Sequence, residues 1–157
     1  INKVTVMALF TFIATLILFA ATICSGLITI TDGKWEIPWR MILSADFLAW
    51  LSCLALIPIQ LWAATRRGMF ASMGVGFVGL TAGMFVVKKS CWFLVPWSWG
   101  TRMMCPVLQL GPNGVMLDAG DPLLDPSVLP VGITLSLVGF FVVTGVTALW
   151  FQRRELK

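Results

Sequence analysis

The sequence predicts an all-α, polytopic membrane protein: four transmembrane helices in two antiparallel hairpins, with a tryptophan-rich outer loop between helices three and four. Three observations predict it. Hydrophobic residues make up 59% of the chain and charged ones only 11%, where soluble domains carry about 25% charged residues. Mean hydropathy is +0.93, more apolar surface than one core of 157 residues can hide from water. The charges are also clustered, leaving long uncharged runs. Backbone groups in lipid must pair within their own segment, so these runs are helices.

Lys3 and Asp32 bracket the first run. Its apolar part far exceeds the ~7–15 residues of a signal-peptide core, so it reads as a mature helix over about 4–29. The second run, 41–65, is interrupted only by Asp46. The third, 68–87, lies between Arg66-Arg67 and Lys88-Lys89, and the fourth, 127–152, stops at Arg153-Arg154. Each is long enough for the ~20 residues a crossing needs. The uncharged stretch 90–101 is too short and holds Pro96. It is therefore read as part of an outer loop over 88–126, with 31–40 as the other outer loop. One integral membrane domain covers 1–157, with no repeat or second domain.

Orientation follows from Lys and Arg near the spans. Lys3, Arg66, Arg67, Arg153, Arg154 and Lys157 share one side. Lys34, Arg40, Lys88, Lys89 and Arg102 share the other, with most of the acids. The short turn "TRRG" and the closing "QRRELK" place both termini in the cytoplasm. Trp35, Trp39, Trp92, Trp97 and Trp99 on the outer side, and Trp62 and Trp150 on the inner, read as interface anchors.

The third span contains a G-x-G-x-x-G pattern at Gly74, Gly76 and Gly79. A nucleotide site would need a preceding strand and a βαβ unit, so that meaning is rejected. Gly79 and Gly83, and Gly132 and Ser136 in the fourth span, have the small-xxx-small spacing that lets helices approach closely. They predict tight packing of the third and fourth helices on each other or on a partner. Gly139 and Gly145 extend the small face.

Asp46 is the one formal charge inside a hydrophobic run, which makes it a functional hypothesis by default. It is expected to pair with Arg40 at the interface; proton or cation handling, or pairing with another subunit, are the alternatives. Pro58 frees the carbonyl near Leu54, and Gln60 follows it.

The chain has no histidine, which removes His-ligated metals and imidazole bases. Cys24 and Cys53 fall inside spans and are expected to be buried and inert. Cys91 and Cys105 are the disulfide candidates, closing a loop that contributes ~3 kcal/mol in the chain-entropy model. Four-helix membrane proteins that pass electrons between thiols and a quinone carry a C-x-x-C pair; this chain has none. Cys91, Met103, Met104, Cys105 and Met116 form a weaker soft-metal pattern. Asp118, Asp121 and Asp125 lack calcium-loop spacing and read as a solvated acidic loop. No resident metal or cofactor is assigned; contact with lipid or quinone is the extent of it. Leu108, Leu110, Val115, Met116 and Leu117 are too apolar for a free loop and predict a covered surface.

An enzyme needs an acid, base or nucleophile held by neighbours, and no such constellation is visible. The sequence therefore points to a non-catalytic subunit that scaffolds or stabilises a larger membrane complex, of the electron-transfer or transport kind. Its partners would be other integral membrane subunits and lipid, not nucleic acid. The alternatives are a thiol–quinone redox protein using Cys91 and Cys105, and a small oligomeric transporter or channel component using Asp46.

Overall fold

A computed structural model describes residues 2–29 and 38–155. Trp35 and most of the first outer loop lie outside the described residues. Six α-helices follow in order: α1 (Asn2–Thr29), α2 (Trp39–Leu54), α3 (Leu56–Arg67), α4 (Met69–Val86), α5 (Pro96–Leu108) and α6 (Val128–Glu155). Two 3-10 turns, Trp92–Leu94 and Pro122–Leu124, flank α5. Among the described residues there is no strand, only one bridge between Leu110 and Met116.

Among the described residues, four helices are long and apolar enough to cross a membrane: Lys3–Leu27, Trp39–Arg67, Met69–Val86 and Val128–Arg153. They fall where the charge-free runs fall. The second is built from α2 and α3, joined at Ala55. Pro58 explains the joint, because it lacks the N–H that would bond to the Leu54 carbonyl. Gly68 turns α3 into α4 at φ 85°, left-handed backbone that glycine adopts without strain.

Each spanning helix buries one stripe and leaves the rest of its surface uncovered. In α1 the covered positions are Val4, Ala8, Thr11, Thr15, Phe19, Ile23 and Gly26, spaced by three or four residues as one helix face requires. The other side of α1 shows Phe10 at 66% exposure and Ile17 at 65%. α4 likewise exposes Phe70, Phe77 and Phe85. In water such surfaces would associate; against lipid tails they are at home. Cys24 and Cys53 lie on these outward faces and are exposed, not buried as expected.

The segment 88–126 is not one loop. Its centre is the 13-residue helix α5, which packs against α2, α4 and α6. α5 also separates α4 from α6, so the expected close packing of the third and fourth spans gives way to packing of each on α5. Two core clusters result. One joins Val4 to Leu51, Leu54 and Ile57. The other gathers Ala55, Trp92, Trp99 and Val128 around the start of α5.

Candidate functional site

α5 begins with Pro96 at its first helical position, where the missing N–H costs nothing. It ends at Gln109, left-handed at φ 57°. Thirteen residues rise about 20 Å, too short to cross a bilayer. Its depth follows from its contacts. A Cβ on Gly100 would lie 2.6 Å from the Ser52 hydroxyl, and one on Gly139 would lie 3.0 Å from the Trp99 ring. Ser52 and Gly139 are near the midpoints of their spans. The first half of α5 thus reaches mid-span level, as in a re-entrant helix.

The small residues singled out in the sequence form its seat. A Cβ on Gly79 would collide with the Trp97 ring, and one on Gly83 would lie 3.0 Å from the Trp97 backbone. Gly132 faces the Met103 sulfur, and Met103 is wholly buried. Ser136, also buried, donates to the Gly132 carbonyl at 2.8 Å. The glycines are close-packed by Trp97 and Met103 from α5 rather than by one another. This also corrects the tryptophan assignment. Trp92 and Trp99 are core residues at 9% and 6% exposure, and Trp97 is half-buried against α4. Of the outer-side anchors described, only Trp39 is largely uncovered, at 50%.

Arg102, counted from the sequence only among the outer-side cations, is a buried anchor. It sits on the buried face of α5 at 7% exposure. One terminal nitrogen donates to the Leu123 carbonyl at 2.7 Å and the other to the Pro122 carbonyl at 3.1 Å. This ties α5 to the turn before α6. Around it lies a cleft of about 580 Å³ lined in part by Lys88, Lys89, Asp121, Asp125 and Ser127. The aspartates have local tasks rather than forming a calcium cage. Asp121 accepts from the Leu123 N–H at 2.8 Å. Asp125 accepts from both the Ser127 hydroxyl and its N–H. Those two bonds hold the Asp125 carboxyl below its usual range.

The four cysteines are free. Cys91 is exposed in the turn after α4, whereas Cys105 is buried on α5 and donates to the Thr101 carbonyl at 3.3 Å. The expected Cys91 and Cys105 disulfide is therefore not formed. Burial pushes the Cys105 thiol up, further from the thiolate that redox exchange needs. Met103 is buried while Met116 is 74% exposed, so the soft-metal set is scattered. Among the described residues no group of three or more Cys, Asp or Glu is placed to hold a metal.

Asp46 lies on α2, half-buried. Its Oδ2 is shielded and has no hydrogen-bond partner, and Arg40, exposed more than a turn away, does not pair with it. Trp50, one turn deeper, donates to the Ala8 carbonyl at 3.4 Å and meets Phe12 edge-on. The antiparallel register then puts Asp46 at about the level of Thr15. At the opposite end a cavity of about 460 Å³ lies between α1, α3 and α6, lined by Lys3, Thr65, Thr144, Thr147 and Gln152 among others. Asp46 lines neither cavity. Gln60 is engaged by α4, accepting from the Ser72 hydroxyl at 2.6 Å. No known family model, curated protein or solved structure matches this chain.

Proposed function

We propose that this chain is a non-catalytic integral membrane subunit that scaffolds or stabilises a larger membrane complex, with both termini cytoplasmic and residues 88–126 on the far side. The observation that carries this reading is the unpaired Asp46 carboxylate oxygen within a span. A charged group at that depth is costly unless a partner answers it. Among the described residues nothing does, and a donor on a neighbouring helix would do so once the half-buried side chain turned toward it.

The interior supports the same reading. α5 fills the bundle to mid-span with Trp97, Trp99 and Met103, where a transported solute would need space. The buried polar side chains Ser52, Ser98, Arg102 and Ser136 all have partners. Two shielded polar atoms lack a partner among the described residues: Asp46 Oδ2 on α2 and Thr144 Oγ1, whose residue lines the cavity between α1, α3 and α6. Transport through Asp46 is less well supported, because the residue borders neither cavity. Thiol redox chemistry is disfavoured by the burial of Cys105.

The test is native mass spectrometry after extraction in mild detergent, with wild type and Asp46→Asn compared. Wild type should carry another membrane protein, and the variant should lose it while remaining folded. A wild-type chain that emerges alone from both mild detergent and nanodiscs would sink the proposal.

A further inference from the structure

We propose that the cleft between α5 and the start of α6 binds the phosphodiester headgroup of an anionic membrane lipid. Arg102 is its buried floor. Backbone carbonyls solvate that guanidinium but do not neutralise it, and no carboxylate pairs with it among the described residues. Asp121 and Asp125 line the same cleft and offset part of its charge at a distance, but a buried cation with no carboxylate in contact is still costly, and a bound anion relieves that cost. Two carbonyl bonds also leave part of its five-donor fork for a ligand.

The lining has the charge for one phosphodiester. Lys88, Lys89 and Arg102 supply three positive charges, and Asp121 and Asp125 two negative ones, leaving an excess of one. Both aspartates already accept bonds from their own turns. The lysines are exposed and therefore able to close on an incoming anion. Their placement is right for a headgroup. α4 ends at Val86 and α6 begins at Val128, so Lys88, Lys89 and Ser127 sit where the two spans leave the apolar layer. A volume of about 580 Å³ is within the range of small-ligand sites.

The surface beside the cleft selects a lipid over a free anion. Phe93 lines the cleft and is 45% exposed. Along α6, Val131, Val138 and Val142 are 47%, 54% and 57% exposed. Steps of seven and four residues keep them on one face of the helix. Val131 also lines the cleft, so an uncovered apolar track starts at the charged pocket and runs about 16 Å down the span. An amphiphile uses both halves of this footprint; inorganic phosphate uses only one.

The experiment follows thermal unfolding of the full chain in phosphatidylcholine–detergent micelles, titrated with phosphatidylglycerol, more phosphatidylcholine, or inorganic phosphate. Phosphatidylglycerol should stabilise the wild type saturably, and the other two should not. Arg102 is left intact because it also holds the turn at Pro122–Leu124. Lys88→Gln with Lys89→Gln removes exposed charges instead and should weaken the phosphatidylglycerol midpoint about 30-fold, at roughly 1 kcal/mol per lysine. Lys3→Gln, at the other end, should leave that midpoint unchanged. Equal protection by inorganic phosphate would overturn the lipid assignment. An unchanged midpoint in the double variant, or no preference for phosphatidylglycerol over phosphatidylcholine, would overturn the site.

Discussion

Gly79→Ala tests the seat of α5 most directly, with Gly74→Ala as its control on the same helix. In an exposed helix, alanine is favoured over glycine by about 1 kcal/mol. Nothing lies within 4 Å of the position a Cβ would take on Gly74, so that substitution should be neutral or stabilising. At Gly79 the new methyl would overlap the Trp97 indole, with Cζ2 only 2.7 Å away. Two other ring carbons lie closer still, and carbon atoms prefer ~3.5–4.0 Å, so ring or helix must move by more than about 1 Å. The ring is rigid, and its backbone is already held against Gly83. Overpacking costs ~1–3 kcal/mol, and overlap with a rigid ring falls in the upper part of that range, about 2–3 kcal/mol. After subtracting the propensity gain, Gly79→Ala should destabilise the α5 seat by about 1–2 kcal/mol, a factor of roughly 5–30 in its opening equilibrium.

Cys105 is a built-in reporter. It is 1% exposed on α5, while the other three cysteines are exposed and can be changed to serine. When opening and closing are fast relative to labelling, the maleimide rate at Cys105 follows the open population. Gly79→Ala should raise that rate about 5–30-fold, and Gly74→Ala should not. Trp97→Leu added to Gly79→Ala should recover part of the loss, since residues in contact couple. If Gly79→Ala protects Cys105 as well as Gly74→Ala does, α5 is not seated on α4 as described.

Replacing Arg102 with leucine leaves the Leu123 and Pro122 carbonyls without their donor and should destabilise the chain by about 2–4 kcal/mol, read as faster proteolysis within residues 109–126. Non-reducing mass analysis after alkylation should count four free thiols, Cys91 reacting in the native protein and Cys105 only on opening. Because burial raises the Cys105 thiol, its labelling in the open-competent variant should still need more alkaline buffer than an unperturbed thiol. Asp46→Asn should leave the isolated chain as stable or more stable, since it removes an unpaired buried charge; clear destabilisation would mean the carboxylate is already satisfied within this chain. For Asp125, a lowered folded value means that the contact with Ser127 stabilises the fold above the ordinary carboxylate range and is lost as pH falls through the lowered value. The Ser127 amide should therefore titrate with a midpoint below the 3.8 of an unperturbed aspartate in an NMR pH series.

The four spans were legible because charge is so expensive in lipid that its placement marks their ends. Gly79, Gly83, Gly132 and Ser136 were legible as close-packing positions for a similar reason: little else explains small residues at that spacing. Their partner was not legible. α5 escaped notice because it is too short to span, contains Gly100 and Pro106, and carries Arg102 on its buried face where an apolar residue is expected. Two signals were present all the same. Pro96 is a helix-start residue, and Trp99, Met103 and Pro106 repeat at spacings of four and three. Asp46 was recognisable as a charge in a span, but its missing partner could only be seen in three dimensions.

Irregular backbone at membrane depth survives only where its polar groups are answered inside the protein, and α5 supplies those answers. Ser98 donates to the Trp92 carbonyl at 2.6 Å, and the Trp99 ring nitrogen donates to the Phe93 carbonyl at 2.9 Å. Arg102 serves the carbonyls of Pro122 and Leu123. One short helix thus saturates acceptors in the turn before it and in the turn before α6, while its tryptophans and Met103 fill the glycine-lined faces of two spans. Moving α5 out of its seat would uncover four carbonyls and open gaps along α4 and α6 together. Opening would therefore be cooperative and costly, which suits a fixed architectural element better than a gate. It also directs the search for function away from α5, to the half-buried Asp46 on α2 and the cationic cleft at the end of the bundle.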